Sequence, residues 1–241
     1  MNPLPLASTV VTFAFTVAVF LRYLNRRGAH LLLWSVGLLL YGLGTLSEVI
    51  LSMGFSATVL KLWYLSGAML TAAWLGQGTI HLLIRRPGIA RGLTLALGVV
   101  SLAAVLLLAA APVTSAAGSF QPALPVSSQY KEILVRSGII TALTILLNIY
   151  GTLAMVGGAI YSAFLFWKKQ VLFNRVLGNI LIAAGALSPA MAGSLVKAGL
   201  IDALYLSELI GAAVMFTGFL LATRQIEPVR RNVTHQTISP G

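Results

Sequence analysis

Residues 93–111 read LTLALGVVSLAAVLLLAAA, an uninterrupted apolar stretch in which only Thr94 and Ser101 carry polar side chains. An uncharged hydrophobic stretch of this length indicates a transmembrane helix, because about 20 helical residues cross the hydrocarbon core of a bilayer. Lipid offers no hydrogen-bonding partner to the backbone, so such a segment has to be helical. This stretch therefore predicts an all-α integral membrane protein.

The composition of the whole chain agrees with that prediction. Of the 241 residues, 58% are hydrophobic and 9% are charged, whereas charged residues make up about 25% of a typical soluble domain. The formal net charge is +11, but the basic residues stand in short clusters between apolar stretches, which is typical of topology signals and lipid headgroup contacts. We therefore expect membrane lipids, and no nucleic acid, among the partners.

Seven stretches are long and apolar enough to form a bundle of seven transmembrane helices. Residues 1–224 are predicted to form this transmembrane domain, and residues 225–241 a polar cytoplasmic tail too short for an output domain. The proline-rich loop at 112–133 is predicted to be extended or irregular, as either a plain connector or a lid over a pocket. The predicted helices lie at about 5–23, 31–53, 59–84, 92–111, 134–166, 176–197 and 203–223.

The basic residues predict the orientation of the chain. Three Lys or Arg residues follow each of the first, third, fifth and seventh predicted helices, so twelve of the sixteen basic residues lie on one side. Because cytoplasmic loops are enriched in Lys and Arg, that side is predicted to be cytoplasmic. The N-terminus is then outside and the C-terminus inside. The Ala-, Leu- and Arg-rich usage further suggests a bacterium, so the predicted location is its inner (plasma) membrane.

An internal repeat is indicated when the chain is shifted by 141 residues against itself. Ten of the 36 residues in the range 31–66 are then identical, including Gly37 with Gly178 and Gly44 with Gly185. The repeat would make the protein three helices, a linker helix and three more helices. The almost wholly apolar fourth helix suits the linker role. Parallel repeats are related by an axis along the membrane normal, and binding sites often lie at their interface.

Polar residues at membrane depth predict an outward-facing pocket for a small-molecule or lipophilic ligand. Glu48 and Glu208 each lie about five residues from the outer end of a helix, which is roughly 8 Å at 1.5 Å per residue. Charged groups in the bilayer are costly and usually face the bundle interior or an aqueous cavity. The predicted lining residues are Glu48, Lys61, Tyr64, Arg136, Asn148, Tyr205 and Glu208.

A structural role for the acids is the alternative to this pocket. Glu48 would then pair with Lys61 or Arg136 and lock helices together, since buried ion pairs add specificity more reliably than stability. Pro189 is the only proline well inside a predicted helix. It predicts a kink in the sixth helix that is either a gating hinge or static.

Chemistry-bearing motifs are sparse. His30 and His81 are predicted at the cytoplasmic ends of helices two and three, where interfacial anchoring is expected and haem ligation is an alternative. The sequence contains no cysteine, no Ser–His–Asp set, no acidic metal cluster and no phosphate-binding loop. We therefore predict no cofactor, no metal site and no catalytic residue, and we expect that the protein is not an enzyme.

Residues 31–50, LLLWSVGLLLYGLGTLSEVI, and residues 61–83, KLWYLSGAMLTAAWLGQGTIHLL, carry the resemblance to known families. They resemble small bacterial seven-helix membrane proteins of uncharacterised role. They are also loosely similar to the seven-helix N-terminal sensory modules of bacterial histidine kinases. The second resemblance implies sensing of a ligand or of the membrane state. The sequence contains no kinase domain, so the signal would have to pass to a partner protein.

Two further families share the predicted layout. The helix count, orientation and repeat are similar to the sugar-facilitator family, although the paired Pro-Gln loops of that family are absent. Microbial rhodopsins share the orientation, but the seventh predicted helix contains no lysine for retinal. The sequence therefore predicts a ligand-binding sensory-type module. The alternatives are a small-solute facilitator and a structural subunit of a membrane complex.

Overall fold

The chain folds into a helical bundle. The computed structural model of the chain describes residues 3–84, 86–169, 173–197 and 201–223. In these ranges the only β-type pairing is an isolated bridge between Val113 and Leu134. The helices are α1 (Leu4–Arg26), α2 (Ala29–Leu51), α3 (Ala57–Trp63), α4 (Thr71–Leu83), α5 (Pro87–Ala110), α6 (Val126–Ile133), α7 (Gly138–Lys169), α8 (Phe173–Lys197) and α9 (Ile201–Thr223).

The prediction of an all-α protein with helices long and apolar enough to span a membrane is confirmed at this level. Five helical stretches in the described ranges are long and apolar enough to cross a bilayer, and the part of α8 at Val176–Ser188 is apolar but shorter. Helix α5 is the least enclosed of the five. Its side chains at Leu95 and Val99 are 72% and 70% exposed. Such a face suits contact with lipid. The five stretches are Leu4–Arg26, Ala29–Leu51, Gly88–Ala110, Gly138–Ser162 and Tyr205–Thr223.

The third predicted helix, 59–84, is not one regular α-helix. A π-helical segment, Tyr64–Leu70, separates α3 from α4. Where it ends, the Thr71 hydroxyl donates to the carbonyl oxygen of Ser66, five residues earlier, at 2.7 Å. The carbonyl oxygen of Ala68 accepts from the Asn148 side chain on α7 at 2.8 Å. Side-chain partners of this kind stabilise a widened turn, and π-helical turns are frequent at functional sites.

The prediction that the loop at 112–133 is extended or irregular was wrong in part. A 3₁₀ turn at Ser115–Ser119 and the two-turn helix α6 fold back over the end of the bundle. Pro125 directly precedes α6, and its fixed φ suits the entry to a helix. The Gln129 side chain bonds both the backbone N–H and the carbonyl oxygen of Gln121. Buried Val126 and Ile133 anchor α6 to the core.

Small residues set the spacing between helices. A Cβ atom on Gly44 would come within 2.9 Å of the Gly67 backbone, and one on Gly76 within 2.8 Å of the Gly151 backbone. The first pair joins α2 to the π segment, and the second joins α4 to α7. Close backbone approach through small residues is typical of helix packing in membranes. The resulting bundle leaves a cavity at its centre.

Candidate functional site

A cavity of about 210 Å³ lies inside the bundle. Its lining comes from α2, α4 and the π segment and from α7, α8 and α9. Most of the lining is apolar, which is typical of small-molecule pockets. The lining residues are Tyr41, Gly67, Ala68, Thr71, Ala72, Leu75, Asn148, Thr152, Met155, Ala186, Leu187 and Met215.

Four hydrogen-bonding side chains line this cavity, and each retains capacity for a ligand. Asn148 uses its amide N–H groups on the carbonyl oxygens of Ala68 and Thr144, so its Oδ1 remains an acceptor. Tyr41 donates to the carbonyl oxygen of Glu208 (2.9 Å), so its oxygen can also accept. Thr71 donates to the π segment. The Thr152 hydroxyl has no hydrogen-bond partner in the described part of the chain. The cavity therefore offers more acceptors than donors.

Of the seven predicted pocket residues, only Asn148 lines this cavity. Glu48 and Glu208 are brought together, and their carboxyl groups interact electrostatically with each other and with Tyr41. Glu48 is 3% exposed, and its Oε1 accepts from the indole N–H of Trp63 at 3.0 Å. Oε2 of Glu48 and Oε2 of Glu208 are both enclosed and have no hydrogen-bond partner. The acids thus lie next to the cavity, linked to it by Tyr41.

The ion pair from Glu48 to Lys61 or Arg136 is not formed. Lys61 Nζ donates instead to the carbonyl oxygen of Ala109 at 2.9 Å, at an exposed position. The Arg136 guanidinium lies 5.0 Å from the centre of the Tyr130 ring. Both cations therefore remain near the surface, where water and an aromatic face solvate them at less cost than a buried carboxylate would.

The remaining predicted residues are placed as follows. The Tyr64 hydroxyl, almost fully buried, hydrogen-bonds Thr144 Oγ1 at 3.0 Å. Tyr205 is buried near the start of the apolar part of α9. Pro189 lies within α8, but its side chain is outside the described residues, as is that of Lys197. Their roles in ligand binding and gating stay predictions.

An aromatic cluster of Trp63, Tyr64 and Tyr130 closes the bundle over the acids. The Tyr130 ring centre lies 5.2 Å from that of Trp63 and 5.6 Å from that of Tyr64. Burial raises the pKa of the Tyr130 phenol above its ordinary value, Arg136 opposes this shift, and Tyr64 adds to it. Helix α6 thus seals this end of the bundle with a neutral aromatic surface.

His30 and His81, the two histidines in the described part of the chain, make local contacts. His81 hydrogen-bonds Thr94 Oγ1 on α5 at 2.7 Å, and His30 meets the Trp34 ring edge-on at 5.5 Å between centres. The described residues contain no group of three or more His, Cys, Asp or Glu side chains placed to hold a metal ion.

Two buried residues of the bundle were missed by the sequence analysis. Gln77 is fully buried and donates to the carbonyl oxygen of Ala90 and to Thr94 Oγ1, while the Tyr150 hydroxyl donates to it. Trp63 is the partner of Glu48. An amide at mid-helix in an apolar segment is the signal that singles out Gln77, because lipid would not solvate it.

No protein-family model, curated protein or solved structure matches this chain. Any function proposed for the protein therefore rests on the arrangement of its residues.

Proposed function

We propose that the protein is a ligand-binding sensory-type membrane module that holds a small, mainly apolar molecule in the cavity between α2 and α4 on one side and α7, α8 and α9 on the other. The observation that carries the proposal is the cavity itself, with its volume of about 210 Å³. Volume left unfilled between packed helices loses packing energy, so a molecule bound in this cavity would stabilise the bundle.

The polar groups of the cavity define the ligand class. Asn148 Oδ1 and the oxygen of Tyr41 are acceptors whose own donor groups are already engaged. Thr152 can donate or accept. A ligand with one or two N–H or O–H groups on an apolar body fits this pattern better than an anion or a sugar. An apolar body would also reach the cavity from the bilayer.

The proposal includes seven membrane segments in a three-one-three arrangement. The π segment, with α3 and α4, forms the third segment, and α5 is the linker. Equivalent glycines support the repeat: Gly37 and Gly44 face α4 and the π segment, whereas Gly178 and Gly185 face α9. The cavity then lies at the interface of the two halves, where sites of repeat proteins often occur.

The proposed orientation has the N-terminus outside and the polar tail in the cytoplasm of a bacterial cell. The excess of Lys and Arg in one set of loops supports it. The likeness to the sensory modules of histidine kinases supports a sensing role, in which a separate protein receives the signal on the cytoplasmic side. In this proposal, ligand binding changes the packing of the two halves.

A small-solute facilitator is the second candidate, and one observation favours it. Two smaller cavities follow the main one along the interface of the halves, and all three share Met155. Their volumes are about 20 and 10 Å³, which is too little for a continuous path. Rotation of the flexible Met155 side chain would join them. Counterflow in proteoliposomes separates the candidates, because a sensor moves no solute.

The proposed binding site is tested by native mass spectrometry of protein purified in mild detergent. Thr152→Val removes one hydroxyl without removing a hydrogen bond of the protein, and Ala186→Phe fills the cavity. We expect a bound small molecule in the wild type, about tenfold weaker retention in Thr152→Val, and none in Ala186→Phe. One lost hydrogen bond of about 1.4 kcal/mol corresponds to that factor.

Thr217→Val is the matched control, since this exposed threonine on α9 bonds only its own helix. It should retain the ligand fully. If the wild type carries nothing but bulk lipid, or if Ala186→Phe retains the same molecule, the ligand does not occupy this cavity and the proposal fails.

A further inference from the structure

Four enclosed oxygen atoms without hydrogen-bond partners lie on α1, α2 and α9. They are Ser8 Oγ, Thr12 Oγ1, Glu48 Oε2 and Glu208 Oε2. Ser8 and Thr12 are fully buried and Glu48 is 3% exposed. Buried polar atoms normally have a partner, because an unpaired one costs about 1–3 kcal/mol. Thr12 lies about one helical turn from Ser8 along α1, so the other three atoms are the ones that call for a common explanation.

Helices α1 and α9 run side by side, and their register brings Ser8 close to Glu208. Phe15 stacks on Phe216 with 5.0 Å between ring centres, a separation of 201 positions along the chain. The same separation recurs in a hydrogen bond at the other end of the two helices. The same separation of 201 positions places Ser8 beside position 209, which directly follows Glu208.

Helices α1 and α2 bring the same serine towards Glu48. Thr9 Oγ1 donates to Thr45 Oγ1 at 3.0 Å. Thr45 precedes Glu48 by about one helical turn, and Ser8 adjoins Thr9. Glu48 and Glu208 in turn interact electrostatically with each other. Ser8 and the two acids therefore come together where α1, α2 and α9 meet.

No cation of the described residues compensates the two carboxyl groups, since Lys61 and Arg136 are engaged elsewhere. Two buried carboxylates repel each other and lose their hydration, so they require a positive charge or protons. Carboxylate and hydroxyl oxygens are the ligands that hard cations such as Na⁺ and Ca²⁺ take.

We propose that Glu48 and Glu208 bind one hard metal cation between α1, α2 and α9, with the hydroxyl oxygen of Ser8 adding to its coordination. Glu48 is held in place by the Trp63 indole, which occupies its other oxygen. Glu208 is held next to the cavity by the bond from Tyr41 to its carbonyl oxygen. The ion ties α9 of one half to α1 and α2 of the other.

The site is distinct from the ligand cavity, because none of its three oxygen-bearing residues lines that cavity. A failure of the ligand proposal therefore leaves the cation proposal open, and the reverse also holds. The shared element is Tyr41, which lines the cavity and contacts Glu208.

The test is the midpoint of thermal unfolding of the full chain in detergent, measured with NaCl, CaCl₂ or choline chloride at equal ionic strength. A bound cation stabilises the folded state by mass action, by about 2.7 kcal/mol at a hundredfold excess over its Kd. We expect a saturable rise in the midpoint with Na⁺ or with Ca²⁺, and no rise with choline. Whichever salt acts identifies the ion.

Variants test whether the salt-specific rise in the unfolding midpoint arises at the proposed site. Glu48→Gln and Glu208→Gln should each abolish the salt-specific rise. Glu132→Gln, a change of the same kind at an exposed position on α6, should leave it unchanged. Ser8→Ala breaks no hydrogen bond of the protein and should raise the half-saturating cation concentration about tenfold, equivalent to about 1.4 kcal/mol. It keeps the test valid if a glutamine variant does not fold.

Three results would overturn the proposal. One is a wild-type midpoint that responds equally to all three salts. Another is a salt-specific rise that persists in Glu48→Gln and Glu208→Gln. The third is a wild-type midpoint that depends on pH and on neither metal, because the carboxyl groups would then hold protons alone.

Discussion

Gly151 on α7 lies close to the backbone of α4. A Cβ atom at this position would overlap the carbonyl group of Ala72, which is backbone and cannot turn away. Gly157, six residues later on the same helix, has open space around its Cα. These two glycines offer a direct comparison of packing with intrinsic helix preference.

The first prediction is that Gly151→Ala lowers the free energy of unfolding by about 1–3 kcal/mol, the usual cost of overpacking. Gly157→Ala should be neutral or stabilising, by up to about 1 kcal/mol, because alanine favours the helix. Equilibrium unfolding in mixed micelles measures both variants. Equal effects of the two changes would mean that α4 and α7 do not pack at Gly151.

Gln77 supports the second residue-scale prediction. Gln77→Leu removes bonds to Ala90 and Thr94 and leaves the Tyr150 hydroxyl without its acceptor. Hydrogen bonds between membrane helices contribute about 0.6 kcal/mol each, so we expect a loss of about 1–2 kcal/mol. The same unfolding assay measures it, with Thr217→Val as the control. An unchanged stability would argue against Gln77 as the link between α4, α5 and α7.

At this scale, the sequence predicted the important residue types better than their partners. Glu48 and Glu208 were identified because acids are rare in apolar segments. The alternative structural role for Glu48 named Lys61 or Arg136 as its partner, whereas the structure has Trp63. Opposite charge favours pairing of Glu48 with one of these cations. Burying the cation beside the two acids would remove its hydration, and this cost opposes the pairing.

At the scale of secondary-structure elements, helix α6 and the π segment are the features that the sequence did not predict. The prolines of the loop at 112–133 suggested irregular chain, and helix α6 formed beyond the last of them. A proline stops a helix that precedes it and permits one that follows it. The π segment was likewise invisible in the sequence, because it depends on side-chain bonds from Thr71 and Asn148.

The third prediction concerns the phenol of Tyr130 on α6. Because burial raises its pKa, this phenol should titrate with a midpoint above pH 10.0, the ordinary midpoint of a tyrosine. The ultraviolet absorbance of phenolate, taken as the difference between the wild type and Tyr130→Phe, reports this titration. Arg136→Gln should move it to still higher pH. A midpoint at or below 10.0 would show that α6 does not cover the cluster.

At the scale of the whole molecule, the apolar segments alone were enough to predict the fold class. Composition and segment length indicate a membrane-spanning helical bundle, and five described stretches meet the criteria for crossing a bilayer. The position of the cavity could not be predicted, because it depends on how glycines on α2, α4 and α7 set the helix spacing. The polar stripe pointed to the outer end, whereas the main void lies around Tyr41 and Asn148.

The fourth prediction tests the orientation of the whole chain. The protein has no cysteine, so a single introduced thiol is labelled without background. Gly118→Cys and Gly88→Cys place thiols on the proposed outer and cytoplasmic sides, both in open space. In intact cells, a membrane-impermeant maleimide should label the first and spare the second until the cells are lysed. The reverse pattern would invert the proposed topology.

An experimental density map of the protein purified in mild detergent tests the central claim most directly. The claim is that the cavity between the two halves holds a small, mainly apolar ligand. We predict compact non-protein density within hydrogen-bonding distance of Asn148 Oδ1 and Thr152 Oγ1, surrounded by Leu75, Met155 and Met215. A cavity closed by side chains, or one that holds only a lipid tail without a polar contact, would contradict it.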